Sequence, residues 1–252
     1  MGSTDLTIII VSADSYVDIF GLFVFFLRKN WSDCPYRIIY SNERLDVIYD
    51  GIETIHSGEN SAWSTRARNA LKLITTNYVL LLCDDLFITE PVDQRSFESF
   101  IDELKSELVS YCRLLPLSDS KKIFSAKWEL YNLDKSKLYG INLMAGIYEK
   151  SFMQSVISQD NLTGWQIERL QNDIARSSEK EWYSDKLLCN RNYLNLVHCI
   201  RKGKWIRKAK KIVVASMSGL LNTQRKTESY ILTLKNICKG KLSRFMNVSL
   251  HH

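Results

Sequence analysis

Three prolines and ten glycines in 252 residues are too few for a collagen-like or broadly disordered chain. No stretch reaches the ~18 uninterrupted apolar residues that a membrane span needs. The opening DLTIIIVSADSY sets an acid before a short apolar run, without the basic region that begins a secretory signal, so none is expected. The six cysteines (Cys34, Cys83, Cys112, Cys189, Cys199 and Cys238) include no CxxC pair and no zinc-ligand spacing. Buried free thiols in a reducing cytoplasm are the expectation. Acidic charge is nearly missing from the C-terminal fifth. Residues 201–252 hold 13 Lys/Arg against one acid, Glu228, a balance of +12. The first 200 residues hold 21 Lys/Arg against 27 Asp/Glu, a balance of −6. An acidic body with a basic tail points to an anionic partner at the C-terminal end, either a membrane surface or a nucleic acid.

The hydrophobic content of 45% is ordinary for a globular protein, and the length suits one large domain or one domain with an appendage. LTIIIVSA (6–13) is a continuous apolar, β-branched run, the pattern of a strand buried on both faces. YVDIFGLFVFFLRKNW (16–31) has apolar positions at helical spacing. YRIIYSN (36–42) predicts a strand, and a further one is expected near DVIYDG (46–51). SAWSTRARNALKLITTN (61–77) predicts a helix capped by Ser61 or Ser64, with Ala67, Ala70, Leu71 and Ile74 on one face. YVLLLCDD (78–85) is the next strand, and the alternation indicates a mostly parallel α/β sheet flanked by helices. Beyond it, FESFIDELKSELV, SFMQSVISQ and GWQIERLQNDIARSS predict helices, SYCRLLPL a strand, and residues 126–150 strands and turns.

The strand at 78–82 stops on two adjacent carboxylates, Asp84 and Asp85. Ligands of open parallel sheets bind beyond the C-terminal strand ends. A divalent cation relieves the mutual repulsion of such a pair, and Mg²⁺ or Mn²⁺ takes one or two carboxylates together with substrate phosphates. A metal bridging a nucleotide diphosphate and stabilising it as leaving group is the chemistry this implies. A solvated turn is the competing explanation.

SAWSTRARNALKLITTNYVLLLCDDLFI resembles the signature region of GT-A glycosyltransferases, in particular bacterial sugar transferases of capsule and O-antigen (lipopolysaccharide) clusters. The matching residues are Asp14-Ser15-Tyr16, Trp63-Ser64-Thr65-Arg66 and Asp84-Asp85-Leu86-Phe87, and the resemblance runs from residue 5 to 92 and more weakly to 206. It implies a GT-A, Rossmann-like fold over 1–203, with a nucleotide-sugar half (1–92) and an acceptor half (93–203), followed by a basic amphipathic helical extension (204–252). By the same resemblance Asp85 is the metal ligand and Asp84 faces the ribose or donor sugar. Asp14, Ser15 and Tyr16 line the base pocket with Ser41 and Asn42. Arg66 and Arg68 approach the diphosphate or form a solvated helix face, and Trp63 lies beside them as a donor-site residue or a core anchor. The donor is a UDP- or GDP-linked sugar, and the acceptor a saccharide or lipid-linked saccharide.

Inverting transfer needs one general base for the acceptor hydroxyl. The look-alike transferases carry a tryptophan, two residues and a glutamate where this chain has Trp165-Gln166-Ile167-Glu168. Glu168 is therefore the expected base, with Asp185 in reserve. Trp165 is expected to wall the acceptor sugar and to desolvate Glu168. His198 is a candidate second metal ligand or a core residue, with Lys202 and Lys204 flanking the diphosphate. Trp205, Ile206, Ile212, Val213, Val214, Met217 and Leu220 alternate with Arg207, Lys208, Lys210 and Lys211, which predicts an interfacial helix on an anionic leaflet. A helix packed on the core or a dimer contact would read alike. The implied location is cytoplasmic, peripheral on the inner face of the membrane. A non-catalytic nucleotide-sugar binder or a nucleic-acid-binding protein using the tail is the alternative, though no nucleic-acid motif is evident.

Overall fold

The computed structural model describes residues 5–116, 123–134, 140–176, 186–190, 192–217 and 225–229, excepting the side chains of 172, 175 and 176. The chain divides into two compact units, Met1–Leu196 and Val197–His252.

The first unit is built outward from β1 (Leu6–Val11), in which all six residues are buried. Its β-branched run pairs in parallel on both sides, with β2 (Arg37–Asn42) and with β4 (Tyr78–Leu82). β3 (Ile52–His56) extends the sheet beyond β2, also in parallel. The remaining strands of the unit are β5 (Leu86–Ile88), β6 (Val109–Arg113), β7 (Ile123–Ser125), β8 (Leu130–Asn132), β9 (Ala145–Glu149) and β10 (Lys186–Asn190). The nine-stranded sheet has the order β3-β2-β1-β4-β9-β6-β10-β8-β7. Only β9 and β8 run against the other strands, so the sheet is mostly parallel in direction.

Helices α1 (Val17–Asn30), α2 (Trp63–Lys72), α3 (Gln94–Ser106), α4 (Lys150–Val156) and α5 (Gly164–Arg176) flank the sheet. Side-chain alternation sorts the strands between the two faces. Ile9, Val11, Ile39, Val79 and Leu81 pack with Ala67, Ala70 and Leu71 of α2, Met153 of α4 and Ile167 of α5. Residues of the other parity meet α1, where Phe20 stacks on Tyr40 at 3.7 Å. Each fully buried branched side chain contributes about 1.5–3 kcal/mol. Strands covered on both faces by this much apolar surface leave the open strand ends as the place for polar chemistry.

Three boundaries depart from expectation. DVIYDG is the turn that precedes β3, not a strand. Gly51 adopts a left-handed φ of +69°, and Ile48 is 93% exposed. α2 stops at Lys72, because β-branched Ile74, Thr75 and Thr76 propagate a helix poorly, and Thr76 Oγ1 instead donates to the Tyr78 carbonyl at 3.0 Å. Its N-cap is Ala62 with no side-chain cap, so neither Ser61 nor Ser64 caps the helix.

β11 (Leu196–His198) starts at the last residue of the first unit and leads, in the second, into a hairpin of β12 (Ile200–Arg201) and β13 (Lys204–Trp205). Lys202 and Gly203 turn it with φ of +49° and +73°, as a two-residue hairpin requires. Helix α6 (Arg207–Ser216) follows.

Candidate functional site

Because β1, β2 and β4 are parallel, their C-terminal ends gather at one edge. The pairing of Ile10 with Leu82, continued two residues, brings Ser12 alongside Asp84. The Ser12 hydroxyl donates to Asp84 Oδ2 there, and the Ser12 amide donates to the Ser41 carbonyl at 2.9 Å. Asp84 is buried at 4% exposure, while Asp85 beside it is half-buried. The two carboxylates thus have different roles open to them: one is held inside by a hydroxyl, the other borders solvent.

Beneath this turn the Cys83 thiol donates to the Leu143 carbonyl at 3.5 Å, and the Leu143 amide donates to Glu168 Oε1 at 2.9 Å. Burial pushes the Cys83 thiol well above its ordinary range, with the charges of Asp85, Asp84 and Glu168 adding to it. The Leu143 backbone thus links the turn that carries the two acids to the glutamate of α5. Glu168 is 8% exposed. Burial raises its carboxyl above the ordinary range, and the Leu143 amide and the Arg113 guanidinium only partly offset that. Trp165, expected to supply the desolvation, is 66% exposed and does not enclose it. The enclosure comes from the core packed around Ile167 and Leu143.

The expected base-pocket residues organise the loop after β2. Asp14 Oδ1 accepts the amides of Glu43, Arg44 and Leu45 at 3.2–3.4 Å, and the Asp14 amide donates to Glu43 Oε2 at 3.0 Å. Asn42 donates from Nδ2 to the Leu45 carbonyl at 2.7 Å, and its Oδ1 lies 2.8 Å from His56 Nδ1. The Ser41 hydroxyl donates to the Arg66 carbonyl at 3.0 Å. Ser15 is exposed and Tyr16 half-buried, both in the short 3-10 turn Asp14–Tyr16 that opens α1.

Arg66 points into the protein. Its guanidinium donates to the Ser61 carbonyl and lies 3.5 Å from Glu43 Oε1, and burial lowers its proton affinity. Arg68 reaches the loop before α5, pairing with Asp160 at 3.0 Å and donating to the Ser158 carbonyl. Trp63 is half-buried against the core, with its indole over Gly164. His198 is half-buried in the second unit, and Asp185 lies outside the described residues. Trp205, expected as an interfacial anchor, is wholly buried, and its amide donates to the Lys226 carbonyl at 2.9 Å. Leu220 also lies outside the described residues.

Ser12, Glu43, Arg113 and Leu143 belong to the site and were not anticipated. Arg113 alone carried a signal, a cation inside the buried strand VSYCR. Among the described residues no group of three or more His, Cys, Asp or Glu side chains gathers to hold a metal ion. A single half-buried carboxylate, Asp85, suits a hard cation that completes its shell with phosphate oxygens and water, not an all-protein cage.

No family model matches the sequence, and no curated protein matches it. Among solved structures, the chain is similar to the 2-C-methyl-D-erythritol 4-phosphate cytidylyltransferase from Thermus thermophilus (9% identity, TM-score 0.46, covering 84% of this chain and 97% of that one). It is also similar to S. aureus TarS (8%, 0.44, 74% and 36%) and to the bifunctional IspDF from Campylobacter jejuni (11%, 0.38, 67% and 46%). It spans less than half the length of those two. These likenesses concern general architecture and say nothing of chemistry.

Proposed function

We propose that the chain is a metal-dependent glycosyltransferase that moves a sugar from a UDP- or GDP-linked donor to a saccharide or lipid-linked saccharide in bacterial surface polysaccharide synthesis. The observation that carries this reading is that Leu143 ties the strand end to α5, accepting the Cys83 thiol beside Asp84 and Asp85 and donating its amide to Glu168 Oε1, at the edge where β1, β2 and β4 end.

Asp85 would hold Mn²⁺ or Mg²⁺, which when bound neutralises charge on the leaving diphosphate. Asp84, fixed by Ser12, faces the donor, and the Asp14-braced loop at 43–45 forms the rim of the base site. Glu168 keeps Oε1 on the Leu143 amide, and Oε2 takes the proton from the acceptor hydroxyl as it attacks, giving inversion. A carboxyl raised by burial is a better base near neutral pH than a solvated one. Trp165 sits one helical turn from Glu168 on the same side of α5, so a sugar stacked on its exposed indole presents a hydroxyl near the carboxylate.

The second unit is assigned to an anionic membrane surface, with the protein peripheral on the inner face. Support comes from its charge. Its one acid, Glu228, is 1% exposed and paired with Arg201 at 3.5 Å, while Lys202, Lys204, Lys208 and Lys211 are exposed. Sedimentation with acidic and neutral liposomes tests this, and equal binding to both contradicts it.

A thermal-shift screen with UDP, GDP and CMP, with and without Mn²⁺, tests the enzymatic reading. Stabilisation by one diphosphate only in the presence of metal is expected. No shift with any nucleotide would sink it.

A further inference from the structure

The stretch WSTRAR (63–68) precedes β4 and its strand-end acids in the chain, yet most of its polar groups face the segment that enters α5. Ser64 is fully buried. Its amide donates to the Leu162 carbonyl at 3.0 Å, and its Oγ accepts the Leu162 amide at 2.9 Å, a closed pair of bonds between segments 98 residues apart. Thr65 Oγ1 accepts the Asn161 amide at 3.2 Å. Arg68 pairs with Asp160 and donates to the Ser158 carbonyl. The Trp63 indole lies 3.9 Å from where a Cβ on Gly164 would stand.

α5 starts at once after this contact. Thr163 and Gln166 form a reciprocal cap: the Gln166 amide donates to Thr163 Oγ1 at 3.3 Å, and the Thr163 amide donates to Gln166 Oε1 at 2.8 Å. Glu168 follows within the first turns, too close to the cap for slack to develop. At 1.5 Å rise per residue, about 9 Å of helix axis separates Leu162 from Glu168. A displaced helix start would therefore reach the carboxylate nearly undiminished.

We infer that the first turns of α2 clamp the entry to α5 and so hold Glu168 on the Leu143 amide, with Ser64 and Arg68 as positioning residues. The same helix also carries the contacts of Arg66 with Ser41 and Glu43. One rigid element thus spans the rim of the proposed donor site and the helix bearing the proposed base. The inference rests on Glu168 being that base, but it concerns where the carboxyl is held and not which nucleotide binds.

The Leu143 amide reports the carboxyl directly, because it donates to Oε1. In ¹⁵N-labelled full-length protein without substrate, its shift should titrate with Glu168, and Glu168→Gln should abolish that titration. The other charged or titratable groups that interact electrostatically with Glu168 are Arg113 from β6, Tyr148 from β9 and Cys83 after β4. All of them are unchanged in the variants that follow.

Ser64→Ala is expected to lower the Leu143 midpoint toward the ordinary carboxyl range by about one pH unit, as α5 loosens and water reaches Glu168. Exchange of the Leu143 amide should speed up roughly tenfold. Thr65→Ser, which keeps its acceptor, should titrate as wild type. Arg68→Gln, at a half-buried position, should lower the midpoint in the same direction and serves if Ser64→Ala does not fold. A folded Ser64→Ala or Arg68→Gln with the wild-type midpoint and wild-type exchange would overturn the clamp. Nucleotide binding is a separate measurement, so failure of the clamp and failure of the transferase reading are distinguishable.

Discussion

Glu168 and Leu143 share a buried hydrogen bond of 2.9 Å, and the carbonyl of the same Leu143 accepts the Cys83 thiol at 3.5 Å. One backbone residue therefore joins the strand-end acids to the glutamate of α5. Both of its polar groups are engaged, so a change on either side is felt on the other.

The raised carboxyl of Glu168 has a consequence for stability. Burial holds its folded pKa above the unfolded value, so the native state binds the proton more tightly. The stabilisation from that proton is complete below the ordinary carboxyl range and disappears as pH rises through the folded pKa. Glu168→Gln, which still accepts the Leu143 amide, should thus unfold at higher temperature than wild type at pH 8, and the difference should vanish at acidic pH. Thermal melts across that range check it. Turnover should be lost at every pH.

Ser12 holds Asp84 inside the turn. Ser12→Ala removes a donor from a carboxylate at 4% exposure and should cost about 1.5–3 kcal/mol in urea unfolding. Asp85→Asn, at the half-buried neighbour, should stay within about 0.5 kcal/mol of wild type.

Gly146 sits under the tilted Tyr111–Tyr148 pair, whose ring centroids are 4.6 Å apart. A Cβ there would stand 2.6 Å from Tyr111 Cε2 and 3.3 Å from the Cys112 carbonyl. Gly146→Ala should therefore destabilise the fold by about 1–3 kcal/mol. Both hydroxyls bond the Asn142 carbonyl, so the Leu143 amide should also lose exchange protection.

Trp165→Ala removes an indole that is 66% exposed, so stability should change by about 0.5 kcal/mol or less. In the transferase reading it should raise the acceptor KM while leaving nucleotide binding intact. Paired measurements of unfolding and acceptor kinetics separate the two effects.

Elements buried on both faces were the most legible in the sequence. LTIIIV and YVLLL are uninterrupted because each of their residues meets apolar neighbours. The edge strand IETIH, with no fully buried residue, carries no such signal, and DVIYDG upstream is the more apolar of the two. β10 has only five residues, KLLCN, and follows a charged stretch that hides its pattern. Within the site, the acids at the end of β4 were visible because two adjacent like charges follow an uninterrupted apolar run. The use of Arg68 was not, because its partners at 158 and 160 lie some ninety residues away. For the same reason adjacent Trp165 looks like the cover of Glu168, when the covering comes from core residues such as Leu143, 25 residues away in the chain.

The most direct measurement is calorimetric titration of UDP and GDP, in Mn²⁺ and in chelator, into wild-type protein and Asp85→Asn. If a metal-held diphosphate occupies the corner where the central strands end, one of the two nucleotides should bind wild type. Its affinity should drop at least about tenfold, roughly 1.4 kcal/mol, with chelation and again with the substitution. Equal binding by both proteins with and without metal, or no heat from either nucleotide, would contradict the account.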